Sequence, residues 1–125
     1  MTKTTDSKQT TLLLESIIEG IQDVKGHDIT VLDLTKIPHS VASHFVVCHG
    51  NSNTQVTAIA RGVEKQTSIA LNEKPWSREG IGNAEWALLD YGNIVVHVFY
   101  KEARAFYALE ELWADAELTH YEDVE

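Results

Sequence analysis

The chain is poor in cysteine and contains no long apolar run, and these absences exclude whole classes of protein. Cys48 is its only cysteine, so no disulfide can form within the chain, and we expect a reducing, cytoplasmic location. No stretch predicts a membrane span, whereas 43% hydrophobic and 23% charged residues are typical of a soluble globular protein. At 125 residues, the sequence predicts one domain, residues 1–125, with a single core.

Basic residues are also scarce. The 10 Lys and Arg residues stand against 19 Asp and Glu residues, which gives a formal net charge of -9. Proteins that capture a phosphate backbone normally display a basic face, so we expect no direct, sequence-specific binding of nucleic acid, and no membrane partner. A basic protein surface, in contrast, would be attracted to this chain.

The motifs of nucleotide-dependent enzymes are incomplete. Gly50-Asn51-Ser52 lies at a predicted strand-to-helix junction, where backbone N–H groups and the helix dipole can hold a phosphate. Neither a Walker pattern nor a full dinucleotide fingerprint is present, and no paired carboxylates follow the loop, since the next acid is Glu64. The pattern favours a capped helix, and a nucleotide-binding or nucleotidyltransferase-like enzyme remains the alternative.

The histidines do not predict a metal site. His39, His44 and His49 recur every five residues, but strand residues five apart point to opposite faces and cannot ligate one ion together. His97 has the chemistry of a general base, yet no nucleophile stands beside it in the sequence. We therefore expect no metal, no cofactor and no catalytic residue.

The apolar spacing and the turn signals predict a mixed α/β fold. Helices are predicted at about residues 11–24, 53–71 and 101–116, and strands at about 29–34, 43–49, 84–90 and 93–99. These elements predict a single mixed sheet of four to five strands with about three helices, which fully cover one face, while the apolar second strand is central. Residues 1–10 are expected to be a frayed leader, without the arginines of a transit peptide, and 118–125 a frayed acidic tail.

The last two predicted strands form a β-hairpin around which the rest of the chain is organised. Tyr91-Gly92 is interpreted as its turn, which places Trp86 opposite His97. Side chains alternate along a strand, so the hairpin has two faces. The first carries apolar side chains that we expect helices to cover: Ala87, Leu89, Ile94, Val96 and Val98. The second is suited either to another helix layer or to docking of a partner: Trp86, Leu88, Val95, His97 and Phe99.

The three tryptophans differ in their surroundings. Trp113 lies on the apolar side of the last predicted helix and is expected in the core. Trp76 lies in a polar loop and Trp86 on the second hairpin face, where a large amphipathic side chain gains most when a partner buries it. Trp76 and Trp86 are therefore interface candidates, although the core is an equally good interpretation of Trp86.

Several segments of the chain together form a pattern that is typical of one family: residues 28–34, 45–47, 50–52, 79–80, 86–92 and 95–99, with Arg104, Tyr107, Leu109-Glu110 and Leu112-Trp113. These segments resemble the ribosomal silencing factor family, also called RsfS or Iojap. The resemblance covers about residues 11–116 and is most specific in its later part. The chain departs from the family at Ser43-His44, where an acidic-aromatic pair is usual, and at Thr54, where a basic residue is common.

The resemblance implies a nucleotidyltransferase-like fold without the catalytic carboxylates. It further implies binding to the large ribosomal subunit through ribosomal protein L-fourteen, steric blocking of the small subunit, repression of translation when nutrients are scarce, and a possible homodimer. The docking role is carried onto the matching positions: Glu79, Trp86, Leu88, Asp90, Tyr91, Val95, His97 and Phe99. Trp76 is added on physical grounds alone.

Overall fold

The structure, a computed structural model, describes residues 3–82 and 85–124. Its elements are α1 (Lys3–Asp23), β1 (His27–Asp33), β2 (His44–Gly50), α2 (Asn53–Leu71), β3 (Ser77–Glu79), β4 (Trp86–Asp90), β5 (Ile94–Tyr100), α3 (Lys101–Tyr107), α4 (Leu109–Leu112) and β6 (Glu117–Tyr121). The first helix begins inside the segment expected to be a frayed leader, so that expectation is wrong from Lys3 onward. Residues 1 and 2 of the leader, residue 84 of the hairpin and residue 125 of the tail lie outside the described residues.

The mixed α/β fold is confirmed, with more strands than predicted. One sheet of six strands runs in the order β3-β4-β5-β2-β1-β6, where β2 and β5 are parallel and every other neighbouring pair is antiparallel. The central position predicted for the second strand is confirmed, because β2 lies between β5 and β1. Its run Phe45–Cys48 is buried on both faces, which is why a continuous apolar stretch suits this place.

Helices α1 and α2 cover the first face of the sheet. The five hairpin residues predicted to lie under helices are all buried there: Ala87, Leu89, Ile94, Val96 and Val98. Helix α2 has the predicted bounds, and the Ser52 side chain caps it by accepting a hydrogen bond from the Gln55 backbone N–H at 3.0 Å. Two helices, rather than the predicted three, are therefore enough for this face.

The predicted third helix instead lies on the second face and is broken. Ala108 has φ 48°, a left-handed conformation, and it separates α3 from the short α4. Both pieces pack with β1, β2 and β5 in a second core that contains Leu32, Phe45, Phe99 and Leu109. Trp113, expected in the core, is half-buried at its border, with its ring perpendicular to that of Phe45 at a centroid distance of 5.5 Å.

The acidic tail is an edge strand, so the frayed end predicted for it is wrong. Strand β6 pairs with β1, placing Leu118 opposite Leu32. Beyond it, the Asp123 carboxylate accepts a hydrogen bond from the Asp28 backbone N–H at 2.8 Å and lies 3.0 Å from His27 Nδ1. The side chains of β6 are mostly exposed, so its sequence lacks the alternation of apolar and polar residues from which a strand could be predicted.

The hairpin turn lies one residue later than predicted. The Tyr91 backbone N–H donates to the Ile94 carbonyl at 2.9 Å, so Gly92 and Asn93 form the turn, and Gly92 supplies the positive φ of 92°. This shift moves the register by two residues and places Trp86 opposite Phe99 instead of His97. Because the shift is even, the two predicted faces are unchanged.

We expect the replacement Gly20→Ala to destabilise the fold, although alanine favours a helix by about 1 kcal/mol. A Cβ at Gly20 would lie 2.8 Å from Val63 Cα and 2.9 Å from the Gly62 carbonyl oxygen, so α1 and α2 would have to separate. The expected net loss in the free energy of unfolding is about 1–2 kcal/mol, because overpacking costs about 1–3 kcal/mol.

Urea denaturation measures this loss. The control is Lys65→Ala, at an exposed position of α2, which is expected to stay within about 0.5 kcal/mol of the unchanged protein. A Gly20→Ala variant as stable as the unchanged protein would contradict the close helix contact.

Candidate docking surface

The nine side chains predicted to dock a partner fall into three groups of exposure. Trp76 and Glu79 are exposed, and Trp86, Leu88 and Asp90 are half-buried. The other four are buried, with exposed fractions between 0 and 9%: Tyr91, Val95, His97 and Phe99. Their predicted exposure is wrong, because α3 and α4 cover the second face and Tyr91 points into the first core, where its hydroxyl hydrogen-bonds to Thr67 at 2.9 Å.

The two tryptophans predicted as interface residues lie at opposite ends of β4. The Trp76 backbone N–H donates to the Asp90 carbonyl at 2.7 Å, at the end of the strand that Trp86 begins. The Trp76 ring packs on the turn, since a Cβ added to Gly92 would lie 2.8 Å from it, yet 81% of the residue is exposed. The carboxylate of Asp90 also serves the turn, by accepting the Gly92 N–H at 2.8 Å.

Trp86 is held by the second face. Its indole Nε1–H donates to His97 Nδ1 at 3.1 Å, which confirms the predicted proximity of the two rings despite the shifted register. Its ring centroid lies 4.8 Å from that of Phe99 beneath and 4.8 Å from that of Tyr107 on α3. The indole therefore lies at the border between the buried core and the solvent.

Two exposed aromatic side chains on α3 extend the surface that begins at Trp86. Tyr107 is 42% exposed and Phe106 81% exposed, and their rings meet at 5.1 Å in a perpendicular arrangement. We call Trp86, Phe106 and Tyr107 the aromatic patch. The sequence interpretation missed the last two as interface residues, because it predicted an unbroken helix over about residues 101–116, and nothing in the apolar spacing marks Ala108 as a break.

Acidic residues outnumber basic ones in the segment that carries Phe106 and Tyr107. Residues 101–116 contain four carboxylates and two basic groups: Glu102, Glu110, Glu111 and Asp115 against Lys101 and Arg104. Arg104, 12% of whose side chain is exposed, pairs with Glu110, which leaves Glu102, Glu111 and Asp115 against Lys101 among the exposed charges. The exposed charge near the aromatic patch is therefore mostly negative, which complements a basic partner.

Arg104 fixes α3 to the sheet. Its guanidinium donates to Glu110 Oε2 at 2.6 Å, to the Asp28 carbonyl oxygen at 2.7 Å and to His49 Nδ1 at 3.0 Å. Burial, together with the charge of Arg104, lowers the pKa of His49, so the imidazole stays a neutral acceptor. This network joins α3, α4, β1 and β2 and holds the aromatic patch in place.

The Gly50 loop satisfies its own hydrogen bonds. The Asn51 N–H donates to Gln55 Oε1 at 2.8 Å, and the Val56 N–H donates to the Ser52 carbonyl at 3.0 Å. Burial raises the pKa of Cys48 to about 12, so it is no nucleophile at neutral pH. Within residues 3–82 and 85–124, no group of three or more metal-ligating side chains is assembled, and no helix is long and apolar enough to cross a membrane.

Comparisons with known proteins agree on one family. A family model described as "Ribosomal silencing factor during starvation" matches residues 5–125. A Bacillus subtilis protein named ribosomal silencing factor RsfS is 42% identical over 107 residues, 85% of this chain and 88% of its own length. The chloroplastic protein Iojap of Zea mays is 32% identical over 104 residues, 81% of this chain and 43% of its own length. A crystal structure of a Chromobacterium violaceum protein superposes with a TM-score of 0.78 at 36% identity, covering 83% of this chain and 85% of that one.

The buried imidazole predicts a loss of stability in mild acid. Burial lowers the pKa of His97 from 6.5 to about 4, so between these values the unfolded chain binds a proton that the folded chain does not. The free energy of unfolding should therefore fall as the pH drops through this window, by about 3 kcal/mol for this group. Half-buried His44 and buried His49, whose pKa values are also lowered by burial, act in the same direction.

Chemical denaturation at pH 7 and pH 4 measures how much of the acid-induced loss in the free energy of unfolding is due to His97. The variant His97→Leu should lose less stability in acid than the unchanged protein. The control His39→Asn changes an exposed histidine with φ 63°, a conformation that asparagine tolerates, and should show the full loss. Equal acid sensitivity of all three proteins would show that His97 is not buried as a neutral group.

Proposed function

The chain belongs to the ribosomal silencing factor family, and from this premise we propose that it is a translational repressor. It binds the large ribosomal subunit through ribosomal protein L-fourteen and prevents the small subunit from joining, which silences ribosomes when nutrients are limiting. The observation that carries this proposal is the aromatic patch, a row of rings in which Phe106 and Tyr107 are exposed and Trp86 is half-buried, in a mostly acidic segment of the surface.

The aromatic patch supplies the kind of contact that dominates protein interfaces. Tryptophan and tyrosine are enriched among the residues whose truncation costs an interface most, because they bury a large area and lose little side-chain entropy. Phe106, 81% exposed, has the most area to gain when a partner covers it. Trp86 and Tyr107 then extend the contact onto the edge of the second core.

Charge selects the partner. The chain carries a formal net charge of -9, and proteins that bind ribosomal RNA directly display a basic face instead. An acidic surface is attracted to a basic ribosomal protein and accelerates the encounter, with an effect that salt weakens. L-fourteen is the partner that the family resemblance implies, and its binding surface on this chain is the aromatic patch.

Repression then requires no turnover. A compact body of 14.0 kDa bound to the face of the large subunit that meets the small one excludes the small subunit by volume. The Arg104 network keeps α3 fixed before binding, so little conformational entropy is lost on docking. A second copy of the chain offers the same aromatic patch, and a homodimer formed there would compete with the ribosome.

Sedimentation with separated ribosomal subunits tests the proposal. The unchanged protein at micromolar concentration should pellet through sucrose with large subunits and not with small ones, and should reduce the fraction of joined ribosomes. Phe106→Asp should weaken pelleting by more than about tenfold, since it removes the most exposed ring of the aromatic patch and adds a charge.

The matched control is Ile69→Asp. Ile69 is 70% exposed on α2, on the opposite side of the sheet, so the same change there should leave pelleting intact. Absence of the unchanged protein from the large-subunit pellet overturns the proposal. Equal pelleting by both variants would instead move the docking surface away from the aromatic patch.

A further inference from the structure

His97 is a polar side chain in an apolar place. It lies in the middle of β5 with 4% of its surface exposed, and the second core around it is otherwise built from aliphatic and aromatic groups. Its Nε2 atom has no hydrogen-bond partner among the described residues. Among the buried side-chain nitrogen and oxygen atoms of these residues, Ser16 Oγ is the only other one without a partner. A buried donor without an acceptor destabilises a fold, so leucine would suit this position better for stability alone.

The other ring nitrogen has a partner. Trp86 Nε1–H donates to His97 Nδ1 at 3.1 Å, which requires the proton of the neutral imidazole to sit on Nε2. The indole has no acceptor, so Trp86 can only be the donor. His97 thus gives up a hydrogen bond at Nε2 in order to hold a free lone pair toward Trp86.

The ring is also fixed in orientation. Phe45 packs against it at a centroid distance of 4.6 Å with planes 69° apart, and Phe99 lies nearly parallel to it at 6.4 Å. Neighbours on both β2 and β5 therefore prevent the imidazole from turning. Trp86 is half-buried and meets Tyr107 at the surface, so its rotamer decides how the aromatic patch is shaped.

We propose that His97 is the positioning residue of the aromatic patch: its Nδ1 holds the Trp86 indole in the orientation that the partner contacts. This inference rests on the proposed function, because it assigns a task to a residue behind the docking surface. His97 itself never touches the partner. Its buried, unpaired Nε2 is the cost in stability of keeping the acceptor on the other side of the ring.

Two replacements separate positioning from stability. His97→Leu removes both nitrogens and fills similar space, so stability at neutral pH should be unchanged or higher, whereas binding to large subunits should weaken by about tenfold, the value of one hydrogen bond. His97→Asn keeps an acceptor, because Oδ1 is bonded to Cγ as Nδ1 is. It should be less stable than the unchanged protein and yet bind within about threefold of it.

The opposite order of stability and affinity is the outcome that a merely structural histidine would not produce. If His97→Leu binds large subunits as well as the unchanged protein does, the inference is overturned. Should His97→Asn not fold, a double-mutant cycle with Trp86→Phe replaces it. His97→Leu must then weaken binding in the unchanged background and have no further effect beside Trp86→Phe; an equal effect in both backgrounds overturns the inference.

A spectroscopic readout tests the hydrogen bond without the ribosome. The chain has three tryptophans, and the indole N–H resonance of Trp86 is the one that Trp86→Phe removes. His97→Leu should shift this resonance and speed its exchange with solvent, while that of Trp76 stays in place. No shift overturns the inference and leaves the proposed function standing. Absence of the unchanged protein from the large-subunit pellet removes both.

Discussion

The two central strands, β2 and β5, must be covered on both faces, and the rest of the structure depends on this constraint. Residues 94–99 of β5 and 45–50 of β2 are buried throughout, so neither strand can leave one side to water. Helices α1 and α2 cover the first face with 21 and 19 residues. The second face receives the short α3 and α4, together with Leu34, Ile37 and Ala42 from the loop between β1 and β2, and this cover leaves β4 partly open. The half-buried row on β4 follows directly from this unequal cover.

The short helices α3 and α4 are held on the second face by the hydrogen bonds of Arg104. Seven residues of α3 and four of α4 bury little apolar area, so their position depends on directed bonds. The guanidinium binds a carboxylate, a backbone carbonyl and an imidazole, which satisfies it more fully than an ion pair alone would. Buried ion pairs rarely add net stability, but they fix one arrangement among several, and here the arrangement places Phe106 and Tyr107 beside Trp86.

Features that depend on local apolar periodicity could be predicted from the sequence, whereas features that depend on contacts between distant parts of the chain could not. The mixed sheet, the bounds of α2 and the two hairpin faces follow from local alternation, and they are confirmed. The break at Ala108 was not predicted, since three hydrogen bonds from Arg104 to Asp28, Thr30 and His49, together with its pairing to Glu110, stabilise a left-handed residue that no local signal marks. Strand β6 was missed for a similar reason, because its pairing with β1 uses backbone groups and requires no apolar side chains. The exposure of the hairpin's second face was overestimated, because the sequence did not show that α3 and α4 pack on this face.

The polar groups that were considered as catalytic candidates are engaged or shielded within the chain itself. A catalytic site needs polar groups that remain unsatisfied until substrate arrives, whereas here the capped Gly50 loop, the Arg104 network and the buried Cys48 are already satisfied or shielded by the chain itself. The exception among the second-face residues is His97, whose free nitrogen faces an apolar core and not a cavity. An unsatisfied group in that position cannot reach a substrate, but it can act on its neighbour, the indole of Trp86. Under the proposed function, the hydrogen bond between His97 and Trp86 therefore shapes a docking surface, which is what a protein proposed to act by steric exclusion requires.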